Sequence, residues 1–316
     1  AKDIKKTLSD KISKALSQSN VSSVKDTRML FEDDINEARE HQNSGRGEIA
    51  EEIYRKILKQ DPNHIEAARL LANIAMEHEK YGDAEVFLKR VVKNAPQYPR
   101  AWADLVKAQR EQGKHKEALE SAEILVKLDK DIPESYMVRA SVEGAAGLHH
   151  EAIETYRKAL SLSPAKPGAL CSMAHHLKTI GKQEDAITVY RKAIEIKPDH
   201  TESYWSMANL KTFSFTDQEI NDMENLLGNS DLPDEGRVHI HNALGLEYES
   251  RKNYDKAFQN LSSCNALRRK SESYDPVEYE TMIDRIIEIM SSKKLQNEPV
   301  MSADVTPIFI VGLPRS

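Results

Sequence analysis

Cysteine is almost missing from this chain: its 316 residues hold only Cys171 and Cys264, far apart in sequence. Two such residues make no disulfide framework. They read as small buried side chains of a protein kept in a reducing compartment. Long apolar runs are also lacking, so no segment reaches the ~20 residues a membrane-spanning helix needs. No N-terminal secretory pattern is present. These two absences lead to the expectation of a cytoplasmic protein with no membrane partner. Excess positive charge is missing as well. Lys and Arg number 45 against 51 Asp and Glu, for a net charge of −6. That argues against general nucleic-acid binding.

What the chain does have is a beat. Ala50, Ala84, Ala118, Ala152 and Ala186 stand 34 residues apart. Pro62, Pro96, Pro164 and Pro198 follow twelve residues after their alanines, and Tyr54, Tyr156 and Tyr190 four residues after theirs. Gly45, Gly113, Gly147 and Gly181 precede by five, while Trp102 and Leu105 supply a W-x2-L opening. Each residue type has a physical task. A small Ala lets two helices approach closely. An aromatic four residues on lies on the same helical face and fills the space between them. Gly permits a left-handed backbone at a helix end, and Pro stops a helix or opens the next. Together these residues resemble the tetratricopeptide repeat, a helix–turn–helix unit of 34 residues that stacks into a solenoid. The fold class expected is all-α, a right-handed superhelix of helix pairs with a short extended C-terminal tail.

The phase divides the chain. Residues 1–30 read as an N-terminal helix, striped by Ile4, Leu8, Ile12 and Leu16, and a polar linker. Residues 31–200 hold five units, at about 31–64, 65–98, 99–132, 133–166 and 167–200. The segment 201–270 holds an irregular sixth unit and a shifted seventh. Ile220 stands where the ladder demands Ala, and Thr216 with Glu219 forms a capping-box pattern. The seventh unit carries Leu244-Gly245, Tyr248 and Ala257. Residues 271–293 read as a capping helix with Tyr279, Ile283, Ile286 and Met290 on one face. Residues 294–316 read as a linker, a strand and the start of a loop.

That tail carries a second resemblance. Ile308–Val311 is a short β-branched run entering Gly312-Leu313-Pro314-Arg315-Ser316, as strands do before phosphate-binding loops. Pro307–Ser316 is similar to the opening of a sulfotransferase domain. Ala208–Phe213, Asn242–Gly245, Asn253–Phe258 and Asn265–Arg269 resemble bacterial proteins that join tetratricopeptide repeats to such a domain. The resemblance implies that Gly312, Pro314, Arg315 and Ser316 form half of a loop for 3′-phosphoadenosine 5′-phosphosulfate. It also implies that the remaining catalytic parts lie beyond Ser316, so this chain itself is not an enzyme and needs no cofactor. The tail alone leaves several continuations open. Gly-Thr-Thr next would favour sulfotransfer, and Gly-Lys-Ser/Thr a nucleotide triphosphatase loop. The repeats alone also fit a free-standing scaffold with no linked enzyme, or the arm of a glycosyltransferase.

Such solenoids bind extended peptides along the face built by the first helix of each unit. Counting repeat positions places Arg69, Asn73, Arg100, Lys107, Arg110, His175, Lys178, Trp205 and Asn209 there. The set is basic within an acidic chain, so a protein or peptide partner with an acidic segment is expected. Arg69-x3-Asn73 resembles the start of a clamp for C-terminal carboxylates, but Asp104 stands where that clamp wants Asn. His149-His150, His175-His176 and His239-x-His241 lack the geometry to chelate, and no metal is expected.

Overall fold

The computed structural model describes residues 31–210, 212–272 and 275–291. The described residues form fifteen α-helices and no strand. Five helix pairs come first: α1 (Glu32–Asn43) with α2 (Gly47–Gln60), α3 (Ile65–Glu77) with α4 (Tyr81–Asn94), α5 (Pro99–Glu111) with α6 (His115–Leu128), α7 (Pro133–Ala145) with α8 (His149–Leu162), and α9 (Pro167–Thr179) with α10 (Gln183–Ile196). The odd-numbered helix of each pair is its A helix, the even-numbered its B helix.

The ladder does what close helix approach requires. Ala50, Ala84, Ala118, Ala152 and Ala186 are all 0% exposed. The turn between A and B helix is one device used repeatedly. The residue five before each ladder Ala takes a positive φ: +75° at Gly45, +70° at Gly113, +78° at Gly147 and +81° at Gly181. Glu79 at +57° fills this place in the second unit, and Lys252 at +60° in the last. The next residue's N–H then reaches back five residues, as from Lys80 to the Ala75 carbonyl at 2.8 Å and from Lys114 to that of Gln109 at 3.0 Å. This is the Schellman closure of a helix end. The prolines of the beat lie in the turns after the B helices. Pro99, Pro133 and Pro167 instead open the following A helices, where a missing N–H leaves no helical bond unmade.

Core content varies from unit to unit. Four residues after the ladder alanines stand Tyr54, Leu88, Ala122, Tyr156 and Tyr190. All are buried. Ala122 is the smallest, and the apolar cluster around it reduces to Val106, Ala118, Ala122 and Val142. A buried polar pair sits beside it, Ser121 Oγ donating to Gln109 Oε1 at 2.8 Å. From Ala140 to Ala257, by contrast, one continuous cluster spans the rest of the repeats.

The rhythm changes after α10. α11 (Thr201–Ala208) has only eight residues. The chain then turns through Phe213 and Phe215, whose rings meet edge to face at 4.8 Å, into α12 (Asp217–Leu227). Thr216 and Glu219 form the capping box. α13 (Asp234–Ser250) and α14 (Tyr254–Ser271) make the shifted last pair. The buried carboxylate of Glu247 fastens the insertion to α13. It accepts from the Phe215 N–H at 3.1 Å and from Arg251 Nε at 2.7 Å. α15 (Pro276–Ser291) carries Tyr279, Ile283, Ile286 and Met290, all exposed. The N-terminal helix, linker and extended tail expected from the sequence fall outside the described residues.

Candidate functional site

Side-chain bonds run from one A helix to the next, which sets those helices side by side as a wall. Arg69 of α3 reaches Asp104 of α5 at 3.1 Å, Arg110 of α5 donates to Ser141 of α7 at 3.0 Å, and His175 of α9 meets Ser206 of α11 at 3.0 Å.

The expected binding residues fall on this wall in different states. Arg69 is buried and consumed. Besides Asp104 it pairs with Glu66 at 3.1 Å, and Glu66 also takes Arg39 at 2.6 Å and the Tyr98 hydroxyl at 3.1 Å. Burial alone would raise the Glu66 carboxyl, but these donors outweigh it and hold the carboxyl below its ordinary range. Burial pushes Asp104 above its ordinary range despite Arg69. Asp104, which argued against a carboxylate clamp, thus occupies the guanidinium directly. Asn73 is half-buried, its Oδ1 without a hydrogen-bond partner. Arg110 is half-buried and also pairs with Glu111. Arg100, Lys107 and Lys178 are exposed and form no salt bridge among the described residues. Trp205 is half-buried, its ring 5.8 Å from that of His239, and Asn209 is exposed and donates to the Trp205 carbonyl at 2.7 Å. Gly312, Pro314, Arg315 and Ser316 lie outside the described residues.

Two features escaped the repeat count. A groove of about 980 Å³ opens beside α1, lined by Phe31, Ile35, Arg39, Glu66 and Tyr98 among others. Several of its walls are turn residues, which a count along A helices passes over. The second is a cluster of Cys171, His175 and Glu202, whose ligand atoms lie within 4.8 Å of one another. Its signal was a Cys-x3-His spacing one repeat before a carboxylate, hidden by attention to adjacent histidines. Burial pushes the Cys171 thiol up to about 12 and lowers His175 below its ordinary value. Both are therefore neutral at pH 7. One histidine from each of two of those pairs, His149 and His176, meet, Nδ1 to Nδ1 at 3.2 Å, with Tyr156 stacked on His176. Cys264 is a free buried thiol like Cys171. No helix among the described residues is long and apolar enough to cross a membrane.

A stack of helix pairs with a cross-bonded A-helix wall defines a helical-repeat solenoid. Family models of the tetratricopeptide repeat match residues 43–97, 75–142 and 133–166, and one described as TPR repeat matches 175–211. The chain is a tetratricopeptide-repeat solenoid. It is similar to an uncharacterized protein of Aquifex aeolicus (strain VF5), 32% identical over 110 residues. The match covers 34% of this chain and 14% of that relative, so the chain spans only a small part of that relative's length. Among solved structures, MamA from residue 41 to its end, from Desulfovibrio magneticus RS-1, aligns at a TM-score of 0.50 with 16% identity, over 55% of this chain and 97% of that one. A crystal structure of MamA aligns at 0.48 with 25% identity, over 51% and 94%. YrrB, described as a TPR protein with an unusual peptide-binding site, aligns at 0.47 with 19% identity, over 58% and 94%.

Proposed function

We propose that this chain is a protein-interaction module that holds an acidic peptide against its A-helix wall. The observation that supports this reading is a division of labour among the cations. Arg69 is buried and neutralised within the fold, whereas Arg100, Lys107 and Lys178 stand exposed and without ion pairs among the described residues. Three such charges on a chain of net charge −6 favour an anionic segment running along the wall. Trp205 supplies the apolar anchor, since a half-buried indole over His239 gains most from further desolvation.

Fluorescence anisotropy with a labelled Glu-rich peptide tests this. Trp205→Ala should weaken binding by about 1–2 kcal/mol, roughly 5- to 30-fold. Lys107→Ala and Lys178→Ala should each lose a few-fold, less at high salt. Arg69→Ala should lower stability first, because its loss strands Glu66 and Asp104. Unchanged affinity in the Trp205 and Lys variants would refute the reading.

The tail motif Gly312-Leu313-Pro314-Arg315-Ser316 favours a finer statement, that the module is the accessory arm of a sulfotransferase using 3′-phosphoadenosine 5′-phosphosulfate. A free-standing tetratricopeptide-repeat scaffold accounts for the repeats equally well. The coding sequence after Ser316 separates them: Gly-Thr-Thr followed by an α/β domain supports the arm, and a stop codon sinks it.

A further inference from the structure

Cys171 and His175 stand one helical turn apart on α9, so their side chains share a face. Glu202 lies in the first turn of α11, the next A helix. We propose that these three side chains form a zinc site on the A-helix wall.

The geometry fits before any ion arrives. Cys171 Sγ lies 3.7 Å from His175 Nε2. Two ligands at a tetrahedral zinc, with Zn–S about 2.3 Å and Zn–N about 2.0–2.1 Å, sit about 3.6 Å apart. All three ligand atoms fall within 4.8 Å of one another, and Glu202 is exposed, so a turn of its side chain is the movement needed to close the set. The donor chemistry selects the metal. Thiolate with imidazole favours zinc over magnesium or calcium, which want oxygen only. Three protein ligands leave one tetrahedral position for water.

The surroundings accommodate the site. The fully buried Tyr190 packs its ring 5.6 Å from that of His175, with Ser206 beside its hydroxyl. Ser206, whose Oγ is 3.0 Å from His175 Nε2, holds the imidazole in the empty site and would turn to that water in the filled one. Binding forms the Zn–S bond, breaks the S–H bond of Cys171, and releases that proton to solvent.

Cobalt(II) chloride is the probe, added to the whole chain with a phosphine reductant so that no other thiol competes. One equivalent should bring up a thiolate-to-cobalt charge-transfer band and the intense visible bands of tetrahedral cobalt, and zinc sulfate should abolish both. Cys171→Ser should remove the charge-transfer band. His175→Gln and the exposed-site variant Glu202→Gln should weaken binding roughly tenfold or more. Cys264→Ser should leave the spectrum unchanged, since that thiol lies elsewhere against the Val238 carbonyl. Far-UV circular dichroism confirms that each variant is folded. Absence of the bands in folded wild-type protein, or their survival in Cys171→Ser, would overturn the site.

Discussion

Glu79 and Gly113 occupy the same place in successive repeats, and exchanging their chemistry should move stability in opposite directions. Both take a left-handed backbone, φ +57° at Glu79 and +70° at Gly113. Glu79 is exposed, and its side chain makes no hydrogen bond or salt bridge among the described residues, so its removal forfeits no contact. A residue with a Cβ in this conformation costs about 1–2 kcal/mol relative to the right-handed region. Glycine gives back about 0.4–1 kcal/mol of that through the larger freedom of its unfolded chain. Glu79→Gly should therefore stabilise the second repeat by roughly 0.5–1 kcal/mol. Gly113→Ala should destabilise the third by a similar amount. A Cβ built at Gly113 meets nothing within 4 Å, so this loss is purely a backbone term. Urea unfolding followed by circular dichroism gives the global shift. Because solenoids lose stability repeat by repeat, amide exchange at Lys80 and Lys114 reads the local effect. The N–H groups of those two residues close the turns. If Glu79→Gly lowered protection at Lys80, or if Gly113→Ala left Lys114 unchanged, the backbone would not be what selects glycine here.

Other substitutions test other parts. Burial would raise the Glu85 carboxyl, yet donors on Lys114, Lys89 and Gln112 bring it down to about 2. A depressed carboxyl stabilises the fold above its unfolded value near 4.5, and that contribution is lost as pH falls from there toward 2. Glu85→Gln should flatten this part of an acid-unfolding curve, a change of ~1–3 kcal/mol once solvent screening of Lys89 and Lys114 is allowed for. Glu247→Ala leaves the Phe215 N–H without its acceptor and takes one of three acceptors from Arg251, which keeps Asp217 and the Phe215 carbonyl; it should cost about 1–3 kcal/mol, with amide exchange rising first at Phe215. Ala152→Leu forces a larger side chain into a site of 0% exposure and should cost about 1–3 kcal/mol in thermal melts. Ala145→Leu, at an exposed position seven residues earlier, should be near neutral.

The helix pairs were legible in the sequence because each repeat repeats its own physics. A buried Ala recurs in all five units, a left-handed Gly in four and a Tyr in the slot four residues on in three, all at fixed offsets. Thr216 and Glu219 were legible because a capping box is local. The state of the wall was not. Whether Arg69 is offered to a ligand or spent on Glu66 and Asp104 depends on side chains in three helices. Counting positions shows which face a residue takes and says nothing of who else arrives there. The cluster of Cys171, His175 and Glu202 was missed for the same reason, since it joins two repeats across 31 residues. The capping helix was legible as a helix, but its cover depends on what meets Ile283 and Ile286, which the residues themselves do not specify.

Ala122 has a mechanical consequence. Where its neighbours have Tyr or Leu, the third repeat has one methyl group, and its apolar cluster is thin. Thin packing at α5–α7 should make this the softest stretch of the solenoid, and its amides should exchange faster than those of α9 and α10. Bending should concentrate at that notch, much as a beam flexes where its section narrows. Lys107 stands at the notch and Lys178 beyond it, alongside the long continuous core. A peptide gripping both would brace the soft section, and the distance between its two negative charges would choose the curvature that the bound molecule adopts.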